Sequence, residues 1–301
     1  MTGSFASRLI DATRAKGTPL CAGIDPHLGM IPALFQRGNM APTSPDTAEA
    51  VRDFTFELLT RFIGKVPVIK PQAAMFERLG PAGMAILADL CREAMAEGLM
   101  VIMDAKRGDI GSTSTAYADA YLGRDAGFPS DALTINPFLG MDTLEPFMTV
   151  ADKTMSGLFV LVRTSNPGSA DVQGIMAEDG RPVFHHLADQ LRPLIEAREA
   201  PDCGFSSIGI VAGATYPEEA ALLRRLLPSA LFLVPGFGAQ GGGRDDAFAG
   251  FVDGPEGPEG GIVNASRGLS FPHDAQEASN QTDWRHAIDA ATDHAITTLR
   301  G

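Results

Sequence analysis

The sequence predicts an α/β fold, and within that class a single-domain (β/α)8 barrel, from three observations. Eight apolar runs alternate with segments of helical spacing along the 301-residue chain. Most of these runs are almost continuously apolar, as expected for parallel strands that are buried on both faces. Polar and charged residues gather at the carboxyl ends of the runs, where barrel enzymes carry their active sites.

Each predicted strand precedes a predicted helix. The strands are 18–24, 66–70, 99–104, 131–136, 157–163, 207–212, 231–235 and 261–265. The helices are 46–64, 81–97, 112–125, 141–153, 183–199, 216–227, 240–250 and 274–299. Eight such units match the count of a (β/α)8 barrel, whereas a doubly wound open sheet seldom reaches eight without a break.

No linker divides the chain, so we expect one domain over residues 1–301. Three connections are longer than usual: 26–45 after the first strand, 164–182 after the fifth, and 241–260 before the eighth. Long connections in compact domains are often binding loops or lids. We expect 166–182 to act as a lid because it is long, contains glycine and begins at a polar strand end.

Composition restricts the classes of function. A net charge of −13 argues against nucleic acid or an anionic membrane surface as a partner. Three widely spaced cysteines form neither a zinc pattern nor a disulfide framework. No apolar run reaches the roughly 18 residues that span a bilayer. We therefore expect a cytoplasmic protein.

Residues 104–113, DAKRGDIGST, carry the densest group of ionisable side chains next to a predicted strand. On a strand, Asp104 and Lys106 share a face because the side-chain period is two, and Asp109 follows at the turn into a helix. The pattern predicts an ammonium between two carboxylates, which keeps Lys106 protonated near neutral pH as a proton donor. The alternative is a salt-bridged cluster that only orients the loop.

Polar residues also follow the other predicted strands. They include Asp25, Lys70, Asn136, Arg163, Thr164, Ser165, Asn166, Thr215, Gln240, Asn264, Ser266 and Arg267. The strand starts hold no comparable set, so the sequence predicts an active face at the carboxyl ends.

Glycine-rich turns follow the seventh and eighth strands, at 236–243 and 266–268. Such turns expose backbone N–H groups, and these two loops frequently bind phosphate in barrels. Arg267 adds a guanidinium suited to a phosphate dianion. Residues 236–241 also match G-x-G-x-x-G, but a dinucleotide site is not expected so late in the chain. The alternative for both turns is a structural role alone.

With these motifs in place, the chain resembles the orotidine 5′-phosphate decarboxylase family, in particular its longer bacterial form. The most specific feature is D-x-K-x-x-D at 104–109, followed by Ile110 and Thr113. The stretches VIKPQ, RTSNPG and PGFGAQG corroborate it in the expected order. The resemblance spans nearly the whole chain. It implies removal of CO2 from orotidine 5′-phosphate to give uridine 5′-phosphate, in pyrimidine biosynthesis, with no cofactor and no metal ion.

Matched positions imply the residue roles. Lys106 would protonate the C6 carbanion, flanked by Asp104 and by Asp109 from the partner subunit of a homodimer. Thr113 would also reach across the dimer interface, so that the active sites are shared. The remaining contacts implied by the resemblance are Asp25 and Lys70 on the ribose, Ser165 and Gln240 on the pyrimidine, and Gln240 and Arg267 on the phosphate.

Two other functions stay open from the sequence alone. A related barrel could act on a keto-sugar phosphate with Mg²⁺, although no additional strand-end carboxylate supports that chemistry. A nucleotide-binding sensor without turnover is the second alternative, against which the intact Asp104, Lys106 and Asp109 set argues. His27 follows Asp25 at metal-ligand spacing, but no further ligand cluster accompanies it.

Overall fold

Eight parallel strands close into a barrel in the computed structural model, which describes residues 3–238 and 242–300. The strands are β1 (Leu20–Ile24), β2 (Val68–Pro71), β3 (Met100–Arg107), β4 (Ala132–Ile135), β5 (Gly157–Arg163), β6 (Phe205–Ala212), β7 (Ala230–Val234) and β8 (Gly261–Ala265). Each strand pairs with the next, and β8 pairs with β1 to complete the circle. The predicted (β/α)8 fold is confirmed.

An outer layer of helices follows the strands. Its members are Pro45–Phe62, Pro81–Ala96, Gly111–Leu122, Glu145–Thr154, Val183–Glu196, Pro217–Leu226, Arg244–Phe248 and Gln281–Arg300. Shorter helices are Ala73–Glu77, Ala170–Gln173, Arg267–Ser270 and His273–Glu277, with 3₁₀ turns at Leu28–Met30, Met141–Leu144 and Pro167–Ser169. Among the helices of the described residues, none has the length and apolarity required for a membrane span.

The predicted helix 274–299 is two helices in the structure. The break occurs where Asn280 Oδ1 accepts a hydrogen bond from the backbone N–H of Asp283 at 3.0 Å. An Asn side chain that accepts from the third following N–H caps the start of a new helix. Of the predicted helix 240–250, residues 240 and 241 lie outside the described residues, and within 242–250 the helix runs over Arg244–Phe248.

Strand alternation separates two apolar clusters. Side chains that point into the barrel, among them Val68, Ile102 and Phe159, form one buried cluster. Their neighbours along the same strands, such as Ile69 and Val101, pack with the helices in a second cluster. The barrel interior is therefore filled by side chains below the mouth.

The helix Phe5–Lys16 closes the amino-terminal end of the barrel. This helix was not predicted from the sequence. The Phe5 ring packs edge-on against Phe159, with centroids 5.9 Å apart. A Cβ at Gly157 would lie 2.1 Å from the Phe5 ring, so only glycine fits there. Ser4 caps the helix start and Gly17 ends the helix at φ +59°.

The predicted loop 241–260 contains a β-hairpin, Val252–Gly254 with Gly257–Glu259, in addition to a short helix. The Glu259 carboxylate is buried and accepts two hydrogen bonds from Arg14 of the N-terminal helix, at 2.7 and 2.9 Å. Such a bidentate pair fixes both orientation and distance. The hairpin thus supports the helix that closes the barrel.

The long connection 26–45 packs into the core. Phe35 is buried, with its ring centroid 5.5 Å from that of Phe54 and 4.9 Å from that of Trp284. This aromatic cluster ties the segment to the first and last outer helices.

Candidate active site

The mouth of the barrel has a charged half and an apolar half. Interior-facing positions near the carboxyl ends of β2, β3 and β4 carry Lys70, Asp104 and Thr134. The corresponding positions of β5, β6 and β7 carry Leu161, Val211 and Leu233. Both halves line one cavity of about 950 Å³. This cavity can receive a ligand with one polar side and one planar or apolar side.

Asp104 is the centre of the charged half. Its Oδ2 accepts hydrogen bonds from Lys70 Nζ at 2.6 Å and from Gln72 Nε2 at 3.1 Å. Its Oδ1 accepts from Lys106 Nζ at 2.6 Å and from Thr134 Oγ1 at 3.1 Å. Four donors on one buried carboxylate hold two lysines in fixed positions.

The two buried partners shift each other's ionisation. Burial alone would raise the pKa of Asp104, but the charges and hydrogen bonds of Lys70 and Lys106 outweigh it and hold that pKa well below its usual range. Burial alone would lower the pKa of Lys70, but the carboxylates of Asp104 and Asp25 outweigh it and raise that pKa. Both residues are therefore charged across the neutral range.

Sequence reasoning missed Gln72 and Thr134 as members of this network. Gln72 forms an isolated β-bridge with Asp104 just beyond the end of β2. Thr134 is fully buried on β4 and faces inward between two apolar neighbours. A hydroxyl at an inward position of an otherwise apolar strand was the signal that could have identified Thr134.

Lys106 reaches Asp104 by an irregular backbone and not by the regular alternation that the sequence predicts. Its φ is +48°, and the pairing of β3 with β4 shifts register between Met103 and Arg107. Four residue steps of β3, from Met103 to Arg107, lie opposite two steps of β4, from Leu133 to Ile135, so β3 bulges by two extra residues. The Lys106 side chain remains 47% exposed, toward the cavity. Its ammonium is thus held by Asp104 yet open to a ligand.

The predicted second carboxylate is not beside Lys106 in a single chain. Within residues 3–238 and 242–300, the ion pair of Lys106 is with Asp104 and not with Asp109. Asp109 Oδ1 instead accepts from the backbone N–H of Ile110 at 2.8 Å. Thr113 lies exposed on the helix Gly111–Leu122. The structure therefore brings together Lys70, Asp104 and Lys106, and leaves Asp109 and Thr113 outside that cluster.

Asp25 and Arg267 lie at the neighbouring ends of β1 and β8. Asp25 Oδ2 accepts from Ser266 Oγ at 2.7 Å. Asp25 Oδ1 is buried and has no hydrogen-bond partner among the described residues, so it can accept from a ligand donor. Arg267 is exposed at the start of the helix Arg267–Ser270. Gln240, assigned to the pyrimidine and phosphate, lies outside the described residues.

Ser165 lines the cavity at the end of β5, and two sets of hydrogen bonds fix the loop around it. Gln173 accepts from the Thr164 N–H at 3.0 Å and donates to Thr164 Oγ1 at 2.9 Å. The guanidinium of Arg163 is buried and donates to Ser169 Oγ and to the Glu219 carboxylate. The expected lid segment 166–182 thus starts from an ordered base, and two of its apolar residues, Val172 and Ile175, line the cavity.

No grouping of three or more His, Cys, Asp or Glu side chains suited to a metal ion occurs in residues 3–238 and 242–300. His27 lies with its ring centroid 6.2 Å from that of Phe271.

Comparison with known proteins shows the family of this chain. The sequence profile described as "Orotidine 5′-phosphate decarboxylase / HUMPS family" matches residues 18–281. A curated orotidine 5′-phosphate decarboxylase from Rhodopirellula baltica is 42% identical over 305 residues, covering 99% of each chain. One from Deinococcus radiodurans is 37% identical, covering 90% of each chain. The structure of Leishmania donovani OMP decarboxylase shares 31% identity with a TM-score of 0.71, covering 99% of each chain.

Proposed function

The chain belongs to the orotidine 5′-phosphate decarboxylase / HUMPS family, and from this premise we propose that it converts orotidine 5′-phosphate to uridine 5′-phosphate and CO2 without a cofactor. The observation that carries the proposal is the Lys70–Asp104–Lys106 network at the barrel mouth. It presents one fixed, solvent-accessible ammonium next to an apolar wall.

Lys106 is the proposed proton donor. When the bond between C6 and the carboxylate carbon breaks, its electron pair stays on C6 and CO2 leaves. The resulting carbanion lies in the ring plane and cannot delocalise into the ring carbonyls. A preorganised ammonium stabilises this charge and then transfers a proton to C6, after which the neutral lysine takes a proton from solvent.

The two halves of the mouth fit the two parts of the substrate. The apolar wall of Leu161, Val211 and Leu233 would pack against the pyrimidine, with Ser165 and Gln240 addressing its polar edge. The open acceptor Asp25 Oδ1 suits a ribose hydroxyl, and Lys70 lies on the same side. Arg267, with neighbouring backbone N–H groups and Gln240, would bind the phosphate.

We assign the segment 166–182 as the lid. Val172 and Ile175 already contact the cavity from this loop, and both side chains are about half exposed. A lid that closes over the pyrimidine would cover these apolar groups and exclude water from C6.

The active site is proposed to be shared between two chains. Asp109 and Thr113 lie four residues apart, and within the described residues the ion pair of Lys106 is with Asp104 and not with Asp109 of its own chain. Ile110, Phe138 and Leu139 are 63%, 78% and 53% exposed, and large apolar side chains exposed together as a patch mark interaction surfaces. A homodimer would bury them and bring Asp109 of one subunit toward Lys106 of the other.

Subunit exchange tests this arrangement. Inactive Lys106→Ala protein is mixed with inactive Asp109→Ala protein. A hybrid dimer has one site with both defects and one with neither, so activity should return to about a quarter of the parent value after random exchange. A mixture that demonstrably exchanges and stays inactive would place Asp109 in the site of its own chain.

The function itself is tested by incubating purified protein with orotidine 5′-phosphate and following the loss of pyrimidine absorbance. We expect turnover that persists in EDTA, with uridine 5′-phosphate as product. Turnover abolished by EDTA and restored by Mg²⁺ would favour the metal-dependent keto-sugar chemistry. Tight binding without turnover would favour a sensor.

We also propose that the protein works in the cytoplasm. All three cysteines are free thiols in the structure, and burial raises the pKa of Cys21 and Cys91 to about 12. Free, unreactive thiols are typical of a reducing compartment.

A further inference from the structure

We propose that Arg107 is a positioning residue for Lys106, because it anchors the irregular end of β3 that turns the Lys106 ammonium into the cavity. The inference rests on the proposed role of Lys106 and adds a residue that acts through it. Arg107 follows Lys106 in sequence but faces the opposite side of the strand, toward the outer helices.

The backbone at Lys106 needs such an anchor. Its φ of +48° is in the left-handed region, which residues with a Cβ rarely adopt. Two other non-glycine residues, Met40 and Met155, share a positive φ in the described part of the chain, and neither is in a strand. A strained residue persists only when its surroundings fix it on both sides.

Arg107 is held from two outer elements. Its guanidinium donates to the Glu77 carboxylate at the end of the helix Ala73–Glu77, and to Tyr121 Oη at 3.2 Å. It also lies over the rings of Tyr117 and Tyr121, at 5.3 and 5.8 Å from their centroids. These contacts join the helix after β2, the helix after β3 and the end of β3 itself.

Backbone hydrogen bonds to β4 also fix the end of β3. The N–H of Lys106 donates to Thr134 Oγ1 at 2.9 Å, and the carbonyl of Arg107 accepts from the Asn136 N–H at 2.8 Å. A Cβ at Gly108 would lie 2.8 Å from the Asn136 carbonyl oxygen, so the strand end is tightly apposed to β4. Without the side chain of Arg107, the end of β3 loses its attachment to the outer helices. The backbone at Lys106 is then free to leave the left-handed region and to move the ammonium away from Asp104.

The test compares Arg107→Met with the parent in steady-state decarboxylation. We expect kcat to fall roughly 10- to 100-fold, because a displacement of about 1 Å can cost 10²-fold in rate. We expect KM to change less than about threefold, since Asp25, Lys70 and Arg267 keep the ground-state contacts. Arg107→Lys should recover part of the loss because it retains the charge toward Glu77.

Two further variants keep the test interpretable. Glu77→Gln removes the charge partner from an exposed position, so it should fold and should reproduce a smaller fall in kcat. Arg285→Met is the matched control: Arg285 forms an ion pair with Glu57 between two outer helices, at 2.8 and 2.9 Å, and neither residue lines the cavity. It should leave kcat unchanged.

The decisive measurement is the effect of Arg107→Met in the Lys106→Ala background. If Arg107 acts through Lys106, it should lower the residual activity there by less than about twofold. An equal loss in both backgrounds, or parent-like kcat in both Arg107→Met and Glu77→Gln, would overturn the inference. Parent-like activity in Lys106→Ala would instead overturn the proposed function, so the two failures are distinguishable.

Discussion

The two ends of the barrel each bury a cation, and they satisfy it in different ways. At the carboxyl end, Lys70 is paired with the carboxylate of Asp104 at 2.6 Å. At the amino end, Arg224 has no carboxylate partner among the described residues and donates only to backbone carbonyls. These belong to Gly250, Leu227, Pro228, Ala230 and Gly260, at 2.7 to 3.3 Å.

The two arrangements have opposite electrostatic consequences. Burial lowers the pKa of Arg224 to about 10, because carbonyl dipoles replace water without supplying a full negative charge. Asp104 overcomes the same burial effect at Lys70 and raises its pKa. The Arg224 site is closed, because its guanidinium N–H groups donate to backbone carbonyls at the start of β7 and in the residues that precede β7 and β8. At the Asp104 site, the ammonium of Lys106 remains accessible from the cavity. This accessible ammonium distinguishes a site that can act on a ligand from a purely structural ion pair.

The largest expected effect is the loss of turnover in Lys106→Ala. It removes the proposed proton donor and the charge next to C6. We expect kcat to fall by at least about 10²- to 10⁴-fold, which is the usual range for a positioned acid. Circular dichroism should show an intact fold, because Lys106 is half exposed. Retention of more than about a tenth of the parent kcat would refute its role.

Asp104→Asn is expected to damage both activity and stability. It leaves the buried ammonium of Lys70 without its negative partner, which typically costs about 3–5 kcal/mol. Urea unfolding of parent and variant at pH 7 measures the difference. A cost below about 1 kcal/mol would mean that Lys70 finds another partner or becomes exposed.

The same pair sets a pH window. The pKa of Asp104 is lowered on folding, so its contribution is present above its unfolded pKa of about 4 and is lost as pH falls through the folded value. The pKa of Lys70 is raised, so its contribution is present below about 10.4 and is lost as pH rises through its folded value. The stability gap between parent and Asp104→Asn should therefore be widest between about pH 5 and 9, and should narrow in acid. If the stability difference between the parent and Asp104→Asn does not narrow below pH 4, the carboxylate charge is not its cause.

Arg224→Met is the counterpart at the closed end. It leaves several buried carbonyls without donors, and we expect a loss of about 2–4 kcal/mol in unfolding free energy. The kcat of the folded protein should stay at the parent value, since Arg224 lies at the opposite end from the cavity. A selective fall in kcat, with stability unchanged, would break the division between a structural end and a chemical end.

The sequence predicted the features of the barrel that repeat along the chain. Alternating apolar runs and helical segments specify the barrel, and polar strand ends specify which face carries the chemistry. The sequence analysis did not identify the polar groups near the opposite end, where Glu259 and Arg224 are buried and Glu259 pairs with the partly exposed Arg14. Their partners are distant in sequence or are backbone carbonyls, and neither leaves a local pattern.

The candidate site shows the same limit. Lys70, Asp104 and Lys106 come together as their strand-end positions predict. The bulge at Lys106 could not be predicted, because it arises from pairing with β4 and not from the sequence of β3 alone. The second carboxylate expected beside Lys106 is also absent from one chain, because spacing along a chain does not say which way a turn faces.

The smallest expected effect concerns the left-handed backbone of the bulge at Lys106. It distinguishes the strain of that backbone from the loss of the ion pair with Asp104. Lys106→Ala and Lys106→Gly both remove the ion pair with Asp104, so their difference reports the backbone alone. In a regular strand glycine is the less stable of the two by about 0.5–1 kcal/mol. At φ +48° the order should reverse, with Lys106→Gly more stable by about 1 kcal/mol in urea unfolding, because only glycine adopts that conformation without a Cβ clash. Met155 has a similar φ of +56° at the end of the helix Glu145–Thr154, so Met155→Gly against Met155→Ala calibrates the scale. If Lys106→Ala proved as stable as Lys106→Gly while the Met155 pair showed the reversal, then the lysine side chain itself would create the left-handed turn. The strain would then be a consequence of the Asp104 ion pair and not a property of the strand end.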